Sequence, residues 1–511
     1  MSWWKILLIA VGVLALGGGG TAWYVLTQVE FDIYVPMYAD NCGTCHGDEL
    51  QGTSNGPALA GERLVGGDSV IELMTSIRNR HPQLGTPAFT NVLEDVEIKG
   101  LAIFIGEQRL GQKFVEMQFD REVTIPDEPL SGEVHDFAVE TFATGLDPLI
   151  FSIEPMPDGR WLVTEKEKGL TIVSASGERQ EAVAGTPETG GSIEVIGIQF
   201  GTGWLLDVAL HPDYESNGWV YLHYTDLCGE PCGDGVMGAS MNRLDRGRII
   251  DGQWSDVETI WKAPLSFYET TPDTGAGGRI AFDDSGHVYI SAGIKRGPEG
   301  PGGSIDPQLL DNPYGKIHRV NDDGSIPLDN PFVVESELSA LQSIWTYGHR
   351  SPQGLEWHAE RGRIWNSEMG PRGGDEINEL LPGENYGWPF FSQGLEYEGV
   401  QVARHEPKSI EFDSSEIRQS LVDITPSPAI SSFVFYSGDR FPGWQGNVLI
   451  GSLKGSSLFR MVFEGDKFLH RETLIKDLAR IRDIEVGFDG LVYLLLENEA
   501  GSQIVRLVPQ V

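Results

Sequence analysis

Six times between residues 156 and 497 a polar turn containing glycine runs directly into a strand of β-branched and aromatic residues. The stretches are "MPDGRWLVTE", "HPDYESNGWVYLHYT", "FDDSGHVYISAG", "HAERGRIWNSE", "FPGWQGNVLIGSL" and "GFDGLVYLLLE". No other feature narrows the fold as much. A glycine turn feeding such a strand is a hairpin signal. Repeated units with several strands each bury their faces against one another by closing into a ring. The pattern predicts an all-β, six-bladed β-propeller over 135–511. The units are unevenly spaced, and the long irregular insertions at 226–246 and 293–314 belong on the loop faces of the ring. Such unevenness suits an enzyme better than a uniform scaffold.

Ahead of the repeats, "NCGTCHG" (41–47) places two cysteines two residues apart with a histidine after the second. That spacing lets Cys42 and Cys45 form thioethers to one haem while His46 ligates its iron. The flanks "MYADNCGTCHGDELQG" resemble the start of a class I cytochrome c. "LEDVEIKGLAIFIGEQ" carries Leu93, Val96, Leu101, Phe104 and Ile105 at helical spacing. A small all-α cytochrome c domain is expected over 29–112, followed by an extended linker over 113–134. Cytochromes of this class supply a sixth ligand from a Met-Pro-x-Phe turn; here the turn reads "TPAF", with Thr86 at the methionine position. His81, Met74, Met117 or an open position are the alternatives.

The first 28 residues are different again. Ile6 to Leu26 carry no charge, with Lys5 before them and Glu30 and Asp32 after. At about 1.5 Å per residue such a helix crosses a bilayer core. Lys5 then keeps the N-terminus cytoplasmic and the rest outside. A retained transmembrane anchor and a cleaved signal peptide are the two alternatives. Cys228 and Cys232, in "CGEPCG", suit a local disulfide in an exported protein. The formal net charge of −38 argues against nucleic acid as a partner.

"GWLLDVALHPDYESNGWVYLHYT", "GGRIAFDDSGHVYISAG", the run from "GHRSPQG" to "NYGWP", and "GSLKGSSLFR" with "ARIRDIEVGFDG" together resemble the PQQ-dependent soluble glucose and aldose sugar dehydrogenases. The resemblance covers nearly all of 136–511 and implies a six-bladed propeller. It gives His211 the role of catalytic base, which a neutral imidazole can fill near pH 7. It sets Arg279 over the reactive carbonyl of the cofactor as a fixed cation. Lys454, Arg480 and Arg482 become clamps for the three PQQ carboxylates, the two arginines alternating onto one strand face. It implies Ca2+ held by backbone oxygens, with Gly297 and Pro298 as ligands. Tyr386 and Trp388 could stack on a sugar ring or pack in the core, and Asp375 and Glu376 could brace a blade.

These features together predict a periplasmic quinohaemoprotein, anchored in the inner membrane by its N-terminal helix. It would oxidise an aldose to its lactone with PQQ and Ca2+ and pass electrons to its own haem c. A downstream cytochrome or a membrane oxidase would receive them. The alternatives are oxidation of a non-sugar alcohol or cyclitol, and a cofactor-free propeller serving as a binding module beside a cytochrome.

Overall fold

The computed structural model describes residues 32–510 apart from 62, 80–88, 113–116, 196–197, 230–237, 296–304, 335, 403–412 and 466. The apolar run Ile6–Leu26, His81, Thr86, Cys232, Gly297 and Pro298 lie outside the described residues. Among those described, no helix is long and apolar enough to cross a membrane. Cys228 is disulfide-bonded.

Six antiparallel sheets form the blades. Their innermost strands are β1 (Ile150–Pro155), β2 (Leu205–Leu210), β3 (Gly277–Phe282), β4 (Pro352–His358), β5 (Ile430–Phe435) and β6 (Arg480–Val486). Each turn of the sequence repeat links one of these to the second strand of its blade. The inner strands run side by side in the same direction, tied mid-strand by polar side chains. Asp207 on β2 accepts from the Ile280 N–H on β3 at 2.8 Å, and Asp483 on β6 accepts from the Ile153 N–H on β1 at 2.8 Å. Ser432 on β5 accepts from the Ile484 N–H on β6 at 3.0 Å. These bonds satisfy backbone donors that the channel would otherwise leave unpaired. The ring closes where strand Asp136–Leu146 pairs antiparallel with the C-terminal strand Ser502–Pro509. One large apolar core lies between the closing blade and its two neighbours, including Trp161, Phe441, Trp444, Ile481 and Leu494.

The helical domain begins with α1 (Tyr34–Tyr38), which continues through a π-turn (Ala39–Gly43) into α2 (Thr44–His46). Helix α3 (Val70–Arg78) opens on a Ser69/Glu72 capping box, and α4 (Asp95–Arg109) on a Glu94/Glu97 pair of the same type. Helix α4 crosses α1 at Gly100, where a Cβ would stand 1.9 Å from the Tyr34 ring, so no other residue allows this approach. From Gly100 to Glu107, α4 is buried on every side, as expected of a helix packed between two bodies. One face meets α1 and α3, and the other meets the propeller. The stretch after it is tied down as well. The carbonyls of Met117, Phe119 and Arg121 accept from Arg480 Nη1, the Glu499 N–H and Asn498 Nδ2 of the closing blade, at 2.5, 2.9 and 2.6 Å.

Candidate active site

Because the inner strands are parallel, the channel has two unlike mouths. One is formed where those strands begin and the second strands end. Lys166 directly follows the second strand Trp161–Glu165, and Lys454 follows Val448–Ser452 by one residue. Arg480 opens β6, Arg482 follows two residues on, and Arg350 lies just before β4. Five cations therefore share one rim of a very acidic chain.

Three of the five converge on one carboxylate. Arg480 Nε donates to Glu497 Oε2 at 2.9 Å, Arg482 Nη2 donates to the same oxygen at 2.8 Å, and Lys166 Nζ stands 3.6 Å from Oε1. Burial works to raise the Glu497 pKa, yet Arg482, Arg480 and Lys166 hold the carboxyl well below its usual range. Lys166 responds the other way. Burial, then the charge of Arg482, pushes its ammonium down to about 7. Its Nζ also lies 5.0 Å from the Trp204 ring centre. Phe151, Trp204 and Leu206 form a small apolar floor under these charges. Arg482 Nε, Arg350 Nε and Trp204 Nε1 are buried donors with no partner among the described residues. Buried donors left unmade are costly. A surplus of cations with donors to spare over an aromatic floor fits a planar polyanion such as PQQ.

Arg279 lies one layer deeper, on β3, and is not presented to this mouth. Its Nε donates to the Gln353 carbonyl at 2.8 Å, and its Nη1 pairs with Asp207 at 3.2 Å and Asp483 at 2.9 Å. Its Nη2 donates to the Phe151 and Arg482 carbonyls at 3.5 and 3.3 Å. All three nitrogens are engaged within the protein, so the polarising role expected of Arg279 has no free donor. It ties β3 to the inner strands of four other blades instead. Beneath it, Glu154, Glu356 and Glu485 face inward; burial pushes the Glu154 carboxyl up to about 8 and that of Asp207 to about 6.

His211 is found at the other mouth, which corrects its expected place beside the clamp residues. It follows the last residue of β2, so the length of the strand separates it from the cationic rim, about 20 Å at roughly 3.3 Å per residue. Its Nδ1 accepts from the Asp213 N–H at 2.9 Å, and its Nε2 faces Asp322 at 3.6 Å. With Asp213, Asp322 and Asp323 it lines an acidic cleft of about 390 Å3. One bound molecule cannot touch both His211 and the clamp. The physical reason is the repeat itself: "ALHPDY" is one of the six turns, and all six end the inner strands. The signal for Lys166 was equally periodic. "VTEK" and "GSLK" place a lysine just past the second strand of two blades, one residue apart in register, and Lys166, Arg350, Trp204 and Glu497 went unrecognised among the expected site residues.

Tyr386 packs rather than opens to solvent. Its ring stacks on His349 with centroids 4.8 Å apart, and its hydroxyl donates to the Glu379 carbonyl at 2.6 Å. Trp388 lies beneath Arg350, 5.2 Å from the guanidinium. Asp375 braces two segments, accepting from the Gly370 and Ile430 N–H groups at 3.0 and 2.9 Å.

In the helical domain, Cys42 and Cys45 are not joined to each other by a disulfide. His46 Nδ1 lies 2.7 Å from the Pro57 carbonyl. A proton on Nδ1 directed at that carbonyl leaves Nε2 for a metal, the arrangement a ligating histidine needs. The three residues fit a haem c. Met74 packs in the same apolar cluster as Cys42, whereas the Met117 carbonyl is engaged by Arg480 at the propeller.

Two family models match the chain: "Glucose / Sorbosone dehydrogenase" over 147–506 and "Cytochrome C oxidase, cbb3-type, subunit III" over 35–105. The aldose sugar dehydrogenase YliI of Escherichia coli is 33% identical over 349 residues, 67% of this chain and 87% of its own length. The crystal structure of the soluble aldose sugar dehydrogenase from E. coli superposes with a TM-score of 0.61 at 30% identity, covering 73% of this chain and all of that one. The PQQ-bound aldose sugar dehydrogenase of Streptomyces coelicolor gives 0.53 at 25% identity, over 76% of this chain and all of that one. The chain thus belongs to the glucose/sorbosone dehydrogenase family of PQQ-dependent sugar dehydrogenases, with a cytochrome c domain set in front of the propeller.

Proposed function

We propose that the protein oxidises an aldose to its lactone at the cationic mouth and delivers the electrons to its own haem c. The observation that carries this is the joint placement of Lys166, Lys454, Arg480 and Arg482 on the rim against which the cytochrome domain packs. PQQ, when bound, would accept the hydrogen of the oxidised carbon with its electron pair, and haem c would carry the electrons onward singly. Lys454, Arg480 and Arg482 hold the carboxylates of the cofactor. Phe151 and Trp204 floor the site and keep water from beneath it. Lys166 Nζ, lowered to about 7 by burial and Arg482, takes the proton of the sugar hydroxyl; it replaces His211, which lies at the wrong mouth. Calcium enters the proposal as an ion bound through backbone oxygens. The apolar segment Ile6–Leu26 anchors the chain so that both domains lie in the periplasm, where a soluble cytochrome or a membrane oxidase takes the electrons.

The test is direct. Full-length protein with haem attached is supplied with PQQ and calcium, and the haem absorption is followed as aldoses are added. Reduction of the haem that requires PQQ and sugar together is the expected result. Reduction of an artificial dye with an unchanged haem would remove the internal path, and no reduction of either would remove the sugar activity.

A further inference from the structure

The cytochrome domain meets the propeller through a buried ionic triad. Arg372, in the loop after the second strand of the fourth blade, donates from Nη1 to Asp32 Oδ1 at 2.7 Å and from Nη2 to Asp32 Oδ2 at 2.8 Å. Its Nη2 also donates to Glu107 Oε2 on α4 at 2.8 Å. Arg372 and Glu107 are each 2% exposed. The guanidinium lies 4.9 Å from the Tyr34 ring, and the Tyr34 hydroxyl donates to the Gly399 carbonyl at 3.0 Å. Leu395 of the propeller is buried in the core of the cytochrome domain with Tyr34, Leu101 and Phe104. At Gly106 a Cβ would come within 3.2 Å of Pro426, so the helix lies close against the propeller there. The second Glu107 oxygen faces Lys454 Nζ at 3.9 Å.

Two features make this more than packing. Glu107 links the docking arginine to a clamp residue of the mouth. Tyr34 begins the continuous helical stretch that carries Cys42, eight residues and about 12 Å further along at roughly 1.5 Å per residue. A bidentate arginine with two carboxylates fixes orientation as well as proximity. We propose that Arg372, with Asp32 and Glu107, is the positioning residue that holds the haem domain on the cofactor mouth, and that electron transfer from the mouth to the haem depends on this latch. The inference rests on the internal electron path described under Proposed function.

The test uses full-length protein carrying haem and loaded with PQQ. R372Q and the milder E107Q are compared with wild type and with R372K, which keeps the charge but not the fork. Three quantities are read: sugar-driven haem reduction by stopped flow, sugar-driven dye reduction, and hydrogen exchange of α4 and of residues 392–400. In R372Q haem reduction is expected to fall by about tenfold or more, as misplacement of reacting groups does. Dye reduction should remain within about twofold of wild type, since Arg372 touches neither floor nor clamp. Exchange should rise in both interface segments, and R372K should recover part of the haem rate. Wild-type haem reduction in R372Q with raised exchange would overturn the latch while leaving the internal path intact. Unchanged exchange in both R372Q and E107Q would also overturn it. A wild-type protein that reduces dye but never its haem would overturn the path, and the latch with it.

Discussion

The two mouths of the propeller channel are built from the same six repeats and have opposite character. The mouth where inner strands begin gathers Lys166, Arg350, Lys454, Arg480 and Arg482 over Phe151 and Trp204. The mouth where they end gathers His211, Asp213, Asp322 and Asp323 in an acidic cleft. Between them stand Arg279 and a stack of channel carboxylates. The comparison shows that in a ring of parallel strands, the end of the strand on which a residue lies decides what it can meet. A histidine in a plausible motif is chemically suitable at either mouth, but only one mouth can hold an anion.

Three experiments break or sharpen this contrast. The largest effect is expected from Lys166→Met. Loss of a positioned proton acceptor costs roughly 10²- to 10⁴-fold in turnover, and kcat for dye-linked sugar oxidation should fall by that order. The wild-type rate should climb as pH rises through about 7, because Nζ must lose its proton to accept another, and its pKa is pushed down there by burial and Arg482. The variant should lose this limb of the profile. A profile unchanged by the substitution would return the proton to another group.

A smaller effect is expected from Arg482→Gln. A hydrogen bond to a charged group contributes about 1.5–3 kcal/mol, so PQQ affinity should weaken by a factor on the order of 10 to 100, measured by titration of the apoprotein. The Tm should fall too, because Glu497 keeps two of its three cations and part of its burial cost is uncovered. Unchanged PQQ affinity would remove the clamp from this mouth. The smallest effect belongs to His211→Asn, which should leave kcat and KM within about twofold of wild type. A large loss of kcat would mean that the acidic mouth takes part in the chemistry.

Much of the fold is legible in the sequence. Period-two strands after glycine turns specify hairpins from local sequence alone, and all six such turns link first and second strands. The haem motif was equally local: Cys42, Cys45 and His46 share one helical stretch, so their geometry follows from their spacing. Lys454, Arg480 and Arg482 were named through the family resemblance, and alternation on one strand accounts for the shared face of the two arginines. Their use of Glu497 was not foreseeable, because it lies on the neighbouring strand in a register that only the sheet defines. Arg279 illustrates the opposite failure. Its motif fits a polariser, but Asp207 and Asp483, from two other blades, claim its donors.

The sequence by itself determined the repeat, the number of blades, the haem-binding motif and the supply of cations, because each depends on residues close together in the chain. Tertiary structure alone decided which mouth is cationic, that burial and Arg482 push the Lys166 ammonium down, and how the cytochrome domain is seated. Those properties come from parallel alignment, burial and ion pairs such as Arg372–Glu107, between residues 265 apart in the chain. No local pattern encodes such a distance; only packing brings those charges together and removes the water that would have screened them.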